Sequence, residues 1–188
     1  MKLALFGGTF DPIHKAHLAI ARASVQRYGL DRVLFIPAAN PPHKEGGTHA
    51  NYADRLRMVE LAVEGEESFE ASRLEEFTAR SYSIDTIERV RTSLSPADEL
   101  FFLIGADAFA EIRTWRRWTD VVREVQFIVV SRPGTSYEIP EGAVVHRIDG
   151  VALPISSSDI RKSLAAGERP DVLPGTVLNY ALCHHLYH

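Results

Sequence analysis

Residues 3–21 read LALFGGTFDPIHKAHLAIA. The apolar run Leu3-Ala4-Leu5-Phe6 leaves through Gly7 and Gly8, and two histidines, His14 and His17, follow where an alanine-rich stretch begins. A short apolar run without polar alternation is the pattern of a strand covered on both faces. Paired glycines after it permit a sharp turn and the close approach of a ligand to the main chain. Asp11-Pro12 reads as the start of a helix, with Asp as N-cap and Pro at the first helical position. A helix that begins near Pro12, or a turn later, aims its free amides past the strand end and forms an anion site. His14 and His17, at i,i+3 spacing, then share a face. Two imidazoles there can donate to phosphoryl oxygens and balance charge that builds up in group transfer. The same residues also fit a plain turn with surface or structural histidines. Metal ligation stays open as well, although no His-Glu-x-x-His pattern and no carboxylate or cysteine partner at ligand spacing occurs.

Working outward, residues 2–6, 33–36, 100–104 and 127–130 predict buried strands, and 143–147, less apolar, a fifth. Helical patterns lie between them at 16–28, stopped by Gly29, and at 52–64, with Leu56, Val59 and Val63 on one face. Residues 83–92 and 159–166 follow the same logic, the latter stopped by Gly167. Alternating strands and helices predict an α/β fold, a doubly wound and mostly parallel sheet with helices on both faces. Ligands in such sheets bind beyond the carboxyl ends of the strands, at the switch point. The Gly7 loop lies at one such end, and Gly105-Ala106-Asp107 at another.

The chain has 188 residues, 45% of them hydrophobic, enough for one domain spanning 1–188 with a real core. A net charge of −4 argues against a nucleic-acid coat and a membrane-surface protein, although Arg113-Thr114-Trp115-Arg116-Arg117-Trp118 is locally basic and aromatic. The single cysteine, Cys183, excludes an internal disulfide, and with no signal peptide visible a reducing cytoplasm is the simple expectation. The apolar runs are too short to cross a bilayer. The sequence sets no oligomeric state, and a homo-oligomer is compatible with it.

Two further segments suit phosphate. Pro154-Ile155-Ser156-Ser157-Ser158-Asp159-Ile160-Arg161 is a serine run opening a helix, with N-caps, free amides and the Arg161 fork in the first turn or so. Asn40-Pro41-Pro42-His43-Lys44 stiffens a loop with two prolines and ends on a cation. Taken singly, each also reads as an ordinary capped helix or a solvated surface loop. No Walker sequence and no Gly-x-Gly-x-x-Gly is present.

Gly8-Thr9-Phe10-Asp11-Pro12-Ile13-His14-Lys15-Ala16-His17 resembles the signature of the nucleotidyltransferase superfamily with a His-x-Gly-His motif. Ile155-Ser156-Ser157-Ser158-Asp159-Ile160-Arg161 resembles its second signature. Asn40 to Lys44, Ser81-Tyr82-Ser83-Ile84-Asp85-Thr86, Gly105-Ala106-Asp107 and Thr114-Trp115 narrow the resemblance to the bacterial nicotinate-nucleotide adenylyltransferases, and it runs from Met1 to the segment 180–187. Two departures stand out. Ala16 replaces the usual glycine between the histidines, which implies altered nucleotide packing, and Ser158 stands where threonine is common, keeping the hydroxyl.

The resemblance implies transfer of AMP from ATP to nicotinate mononucleotide, giving deamido-NAD and pyrophosphate in NAD biosynthesis. It implies a Rossmann-like fold, and Mg2+ that arrives with ATP, bound mostly through the nucleotide and water. His14, His17, Lys44 and Arg161 would be the catalytic cations and donors. Gly8, Thr9, Phe10, Gly105, Asp107, Ser156 and Ser157 would join His14, His17 and Arg161 around ATP, with Asp107 at the ribose or the magnesium shell. Trp115 would stack on the pyridine ring, with Ser83, Arg116 and Lys44 at the mononucleotide and no protein metal site. Backbone amides near Ser83 and Arg116 could hold the nicotinate carboxylate, and Arg80 could help by charge. Trp118 fits the core better than the ligand. Acid or amide mononucleotide, another phosphate acceptor, a histidine-based metal hydrolase and a non-catalytic nucleotide-binding protein stay open on the residues alone.

Overall fold

The computed structural model describes residues 1–41, 47–131, 134–151 and 154–188. Six strands form one sheet: β1 (Lys2–Gly8), β2 (Arg32–Pro37), β3 (Phe69–Ala71), β4 (Glu99–Gly105), β5 (Gln126–Ser131) and β6 (Val145–Asp149). Their order is β3-β2-β1-β4-β5-β6, and every pairing is parallel. The doubly wound α/β expectation holds, and the sheet is wholly parallel rather than mostly so. The fifth predicted strand is shifted two residues, because β6 is an edge strand in which only Ile148 is buried. One covered position gives little periodicity to read.

Strand side chains divide cleanly between two layers. Ala4 and Phe6 of β1, Val33 and Phe35 of β2, and Phe101 and Leu103 of β4 enter one core cluster. Leu3, Leu5, Leu34, Ile36, Phe102 and Ile104 enter the other. A strand that buries both faces has no polar positions to alternate, which is why these runs are continuously apolar. The first layer is closed by α1 (Lys15–Tyr28), α2 (Tyr52–Val63), α6 (Ser157–Ala165) and α7 (Gly175–Cys183). The second is closed by α3 (Ser83–Arg91), α4 (Ala106–Ala110) and α5 (Trp118–Glu124). Trp118, partly buried, packs on this second cluster.

Helix ends follow local chemistry. Gly29 ends α1 in the left-handed conformation at φ 62°, returning an amide to the Val25 carbonyl. Asn51 caps α2, its side chain accepting from the Asp54 amide at 2.9 Å. β3, α4 and α5 have three, five and seven residues, too few for a periodic pattern to emerge from sequence. α7 stops at Cys183, and the chain then turns through left-handed residues at His185 and Tyr187, φ 52° and 69°. No helix among the described residues is long and apolar enough to cross a membrane.

Asn51→Ala removes the cap acceptor of α2 without touching either core layer. It is expected to lower the unfolding free energy by about 1 kcal/mol, read as a shifted urea midpoint with an unchanged slope.

Candidate active site

The order β2-β1-β4-β5 places the switch point between β1 and β4, because β1 continues to β2 on one side and β4 to β5 on the other. Both strands end in glycine there, Gly8 and Gly105. Beyond their carboxyl ends two cavities adjoin, both bordered by Phe6, Ile104 and Gly105. The smaller, about 170 Å³, is lined by His14, Ala16, His17, Asp107 and Ile155 among others. The larger, about 470 Å³, is lined by Gly8, Thr9, Ser83, Thr86 and Trp115 among others. One opens on the face of the sheet covered by α1, the other on the face covered by α3. The crevice therefore straddles the edge of the sheet.

The loop after β1 differs from the expectation in one respect. Asp11 does not cap α1. His14 occupies the N-cap position in extended backbone, φ −145° and ψ 170°, and the helix begins at Lys15. The Asp11 carboxylate is engaged elsewhere. It is 1% exposed and accepts from the amides of His49 (2.7 Å) and Ala50 (3.1 Å) and from the Tyr187 hydroxyl (2.8 Å). Burial, with the adjoining Asp11 carboxylate second, pushes the Tyr187 phenol up. Two first-turn amides of α1 are also spent within the protein, Lys15 on the Val172 carbonyl and His17 on the His14 carbonyl.

The two imidazoles lie stacked, ring centroids 3.8 Å apart. The His14 amide donates to Nδ1 of His17 at 3.2 Å. A neutral ring that accepts at Nδ1 holds its proton on Nε2, so His17 is a fixed donor through that atom. Phe10 and Phe6 meet the His17 ring edge-on, at 5.1 and 5.9 Å. Burial, with the neighbouring His14 second, holds the His17 pKa well below 6.5. The imidazole is thus enclosed but neutral at physiological pH, with a partly exposed edge on the cavity. Gly8 permits this packing: a Cβ there would stand 2.9 Å from the Phe10 ring.

The serine-rich turn and the first loop meet directly. Ser157 Oγ donates to the Pro12 carbonyl at 3.0 Å, and Arg161 Nη1 donates to the Asp11 carbonyl at 2.8 Å. Ser156 caps α6, accepting from the Asp159 amide at 3.1 Å. Ile155 of the same turn lines the histidine cavity. Of the residues singled out from sequence, His14, His17, Gly105 and Asp107 line the smaller cavity, and Gly8, Thr9, Gly105, Ser83 and Trp115 the larger. Phe10 is 3% exposed and packs behind His17. Arg116 lies over the Tyr82 ring at 4.7 Å. Trp115 rests edge-on against Phe102 at 5.7 Å. Lys44 lies outside the described residues, whereas Asn40 of the same segment is tied to Thr78 and Ser81.

Sequence reading missed Arg55 and Glu75. Arg55 is fully buried in α2 and spends its donors on main-chain carbonyls: Thr9 (2.7 Å), Ala50 (3.2 Å) and Ala39 (3.4 Å). Burial lowers its pKa, partly offset by Asp11. Its signal was an arginine at an apolar-face position, four residues before Val59. Glu75 lies in a loop without periodicity, and no pattern marked it.

The depressed His17 pKa carries a sign. Below 6.5 the unfolded chain takes up a proton that the folded chain refuses, so stability falls as pH drops from about 6.5 toward the folded value. His17→Gln is expected to flatten that part of the stability–pH curve, measured by urea unfolding between pH 5 and 8.

Residues 5–163 match the family model described as cytidylyltransferase-like. The chain is 68% identical, over 187 residues and 100% of both chains, to a Solibacter usitatus (strain Ellin6076) protein named "Probable nicotinate-nucleotide adenylyltransferase". A Pelobacter propionicus (strain DSM 2379 / NBRC 103807 / OttBd1) protein of the same name is 42% identical over 192 residues, with 89% of this chain and 88% of that one covered. Among solved structures, Plasmodium falciparum nicotinic acid mononucleotide adenylyltransferase complexed with NaAD superimposes with a TM-score of 0.78, covering 99% of this chain and 97% of that one. At 20% identity that likeness concerns the fold. The signatures around His14 and Arg161 thus sit in a chain that belongs to the cytidylyltransferase-like family, among the nicotinate-nucleotide adenylyltransferases.

Proposed function

We propose that this chain, acting as one domain over residues 1–188, transfers AMP from ATP to nicotinate mononucleotide, releasing pyrophosphate and deamido-NAD. The observation that supports this most is the pair of adjoining cavities at the β1–β4 switch point, stacked imidazoles in one and an indole in the other. Family membership and the names of its relatives support the same reading.

In this reading the triphosphate occupies the histidine side and the mononucleotide the Trp115 side. The 5′-phosphate oxygen attacks the α-phosphorus in line, a new P–O bond forms, and the bond to the β-phosphate bridge breaks. The attacking phosphate is already ionised at neutral pH, so no protein nucleophile is required. The protein's task is to hold two polyanions together and stabilise the transferring group. His17 donates through Nε2, and because it is neutral at rest, the site carries little desolvated positive charge before substrate binds. His14 stacks on it and fixes its plane. Arg161 braces the first loop through the Asp11 carbonyl and presents its remaining donors to phosphate, while Lys44 adds a cation. Phe10 acts behind His17, through packing. The carboxylate lining the histidine cavity among the described residues is Asp107, exposed and suited as a hard oxygen donor to the water shell of a magnesium ion that enters with ATP. That ion would neutralise phosphate charge. Trp115 stacks on the pyridine ring, with the start of α3 at Ser83 and the Arg116 segment facing its carboxylate. A reducing cytoplasm suits the single exposed thiol, Cys183.

A coupled pyrophosphate assay with ATP and the acid and amide mononucleotides tests the assignment; turnover with the acid form is expected to exceed that with the amide, and no pyrophosphate with either would sink it. His17→Ala is expected to lower kcat by about 10²–10³-fold, the usual scale for a transition-state donor, with a nearly unchanged melting curve. Trp115→Ala is expected to raise KM for the mononucleotide about tenfold, in keeping with the loss of an aromatic stack, while KM for ATP stays within twofold of wild type.

A further inference from the structure

Glu75, in the loop between β3 and α3, is 6% exposed, yet it lines the larger cavity with Ser83, Thr86 and Trp115. Its Oε1 accepts from Thr86 Oγ1 at 2.7 Å. Its Oε2 has no hydrogen-bond partner among the described residues. Buried carboxylates are ordinarily paired with a cation or fully hydrogen-bonded. Arg55 feels the charge of Glu75 but gives its hydrogen bonds to carbonyls. One carboxylate oxygen is thus fixed by Thr86, and the other is buried and unpaired just beneath the cleft that the residue helps line, so its charge is desolvated and acts on the cleft through space.

A carboxylate in a cavity for an anionic ligand is at first sight misplaced. The ligand's chemistry resolves this. The ring nitrogen of a pyridine mononucleotide is quaternary and bears a fixed positive charge, which its dihydropyridine form lacks. An aromatic face together with a desolvated carboxylate is the pairing that recognises an organic cation. Resting on the acceptor assignment above, we propose that Glu75 is a specificity-determining residue that reads the positive charge of the pyridinium ring, favouring oxidised pyridine mononucleotides over their neutral dihydropyridine counterparts. The ring charge is the same in the acid and amide forms, so Glu75 does not distinguish those two. That choice falls to the donors around Ser83 and Arg116.

The test is calorimetric titration of wild type and Glu75→Gln with nicotinate mononucleotide and with its borohydride-reduced form. Gln keeps an acceptor for Thr86 and removes only the charge. Wild type is expected to bind the oxidised form at least about tenfold more tightly, the scale of one modest charge interaction. In Glu75→Gln the two affinities are expected to converge to within about twofold, through loss at the oxidised ligand alone, with binding of a non-hydrolysable ATP analogue unchanged. Equal weakening of both forms indicates a ribose-hydroxyl contact or a packing role and overturns the inference, as does a variant identical to wild type. Should the variant fail to fold, the wild-type ratio decides: equal affinity for the two forms overturns the inference while leaving the acceptor assignment standing. Wild type that binds neither form brings down the acceptor assignment itself, and this inference with it.

Discussion

The structure depends on one constraint, the immobilisation of the loop between Gly8 and His14. A loop at the rim of a parallel sheet has no ladder to hold it, and its carbonyls and amides must find partners elsewhere. Here two buried ions tie the loop down from beneath. The Asp11 carboxylate takes three donors, from the segment before α2 and from Tyr187, and the Arg55 guanidinium takes three carbonyls, including that of Thr9. Neither ion forms its hydrogen bonds with the other. Each ties separate stretches of chain to the same loop, and the Asp11 charge partly offsets the burial of Arg55 through space. Breaking either would leave the other as an uncompensated buried charge, which is far costlier than the loss of one contact.

On that base the site combines neutral and charged donors in an order that follows exposure. Burial behind Phe6 and Phe10 keeps His17 uncharged, and an amide fixes its tautomer. The Arg161 guanidinium, by contrast, carries its charge in a partly exposed position. The two faces of the sheet contribute different chemistry. The α1 side offers imidazoles and the serine-rich turn, and the α3 side offers an indole, hydroxyls and a carboxylate. Because the crevice crosses the sheet edge, ligands held on opposite faces can meet above the glycines that end β1 and β4.

What could be read from sequence is what periodicity and short-range chemistry encode. The four central strands were legible because both faces of each are covered, and the helices over 16–28 and 83–92 because they repeat apolar positions and meet recognisable ends. No local pattern marked the direct contact of the first loop with the serine-rich turn, since nothing in the spacing links Asp11 to Arg161. Asp11-Pro12 misled for a physical reason: an aspartate before a proline suits an N-cap, but a carboxylate that can instead satisfy two distant amides and a phenol is bound more firmly there. Ser157 and Phe10, expected at the nucleotide, face inward instead, Ser157 bonding to Pro12 and Phe10 packing on His17. Glu75 and Tyr187 acquire their meaning only from contacts across the fold, and such contacts leave no trace in spacing.

The sheet order has a consequence for how the protein comes into being. β1 pairs with β2 through residues about thirty apart in sequence, Leu3 with Arg32, but with β4 through Lys2 and Glu99, a separation of nearly a hundred. During synthesis the imidazole loop is therefore made long before its opposite wall, and the first half of the chain leaves the ribosome with one edge of β1 unpaired. An apolar strand with an open edge invites pairing with other chains. The nascent protein passes through this aggregation-prone interval on every round of translation, and it ends only when β4 docks, the same event that completes the crevice.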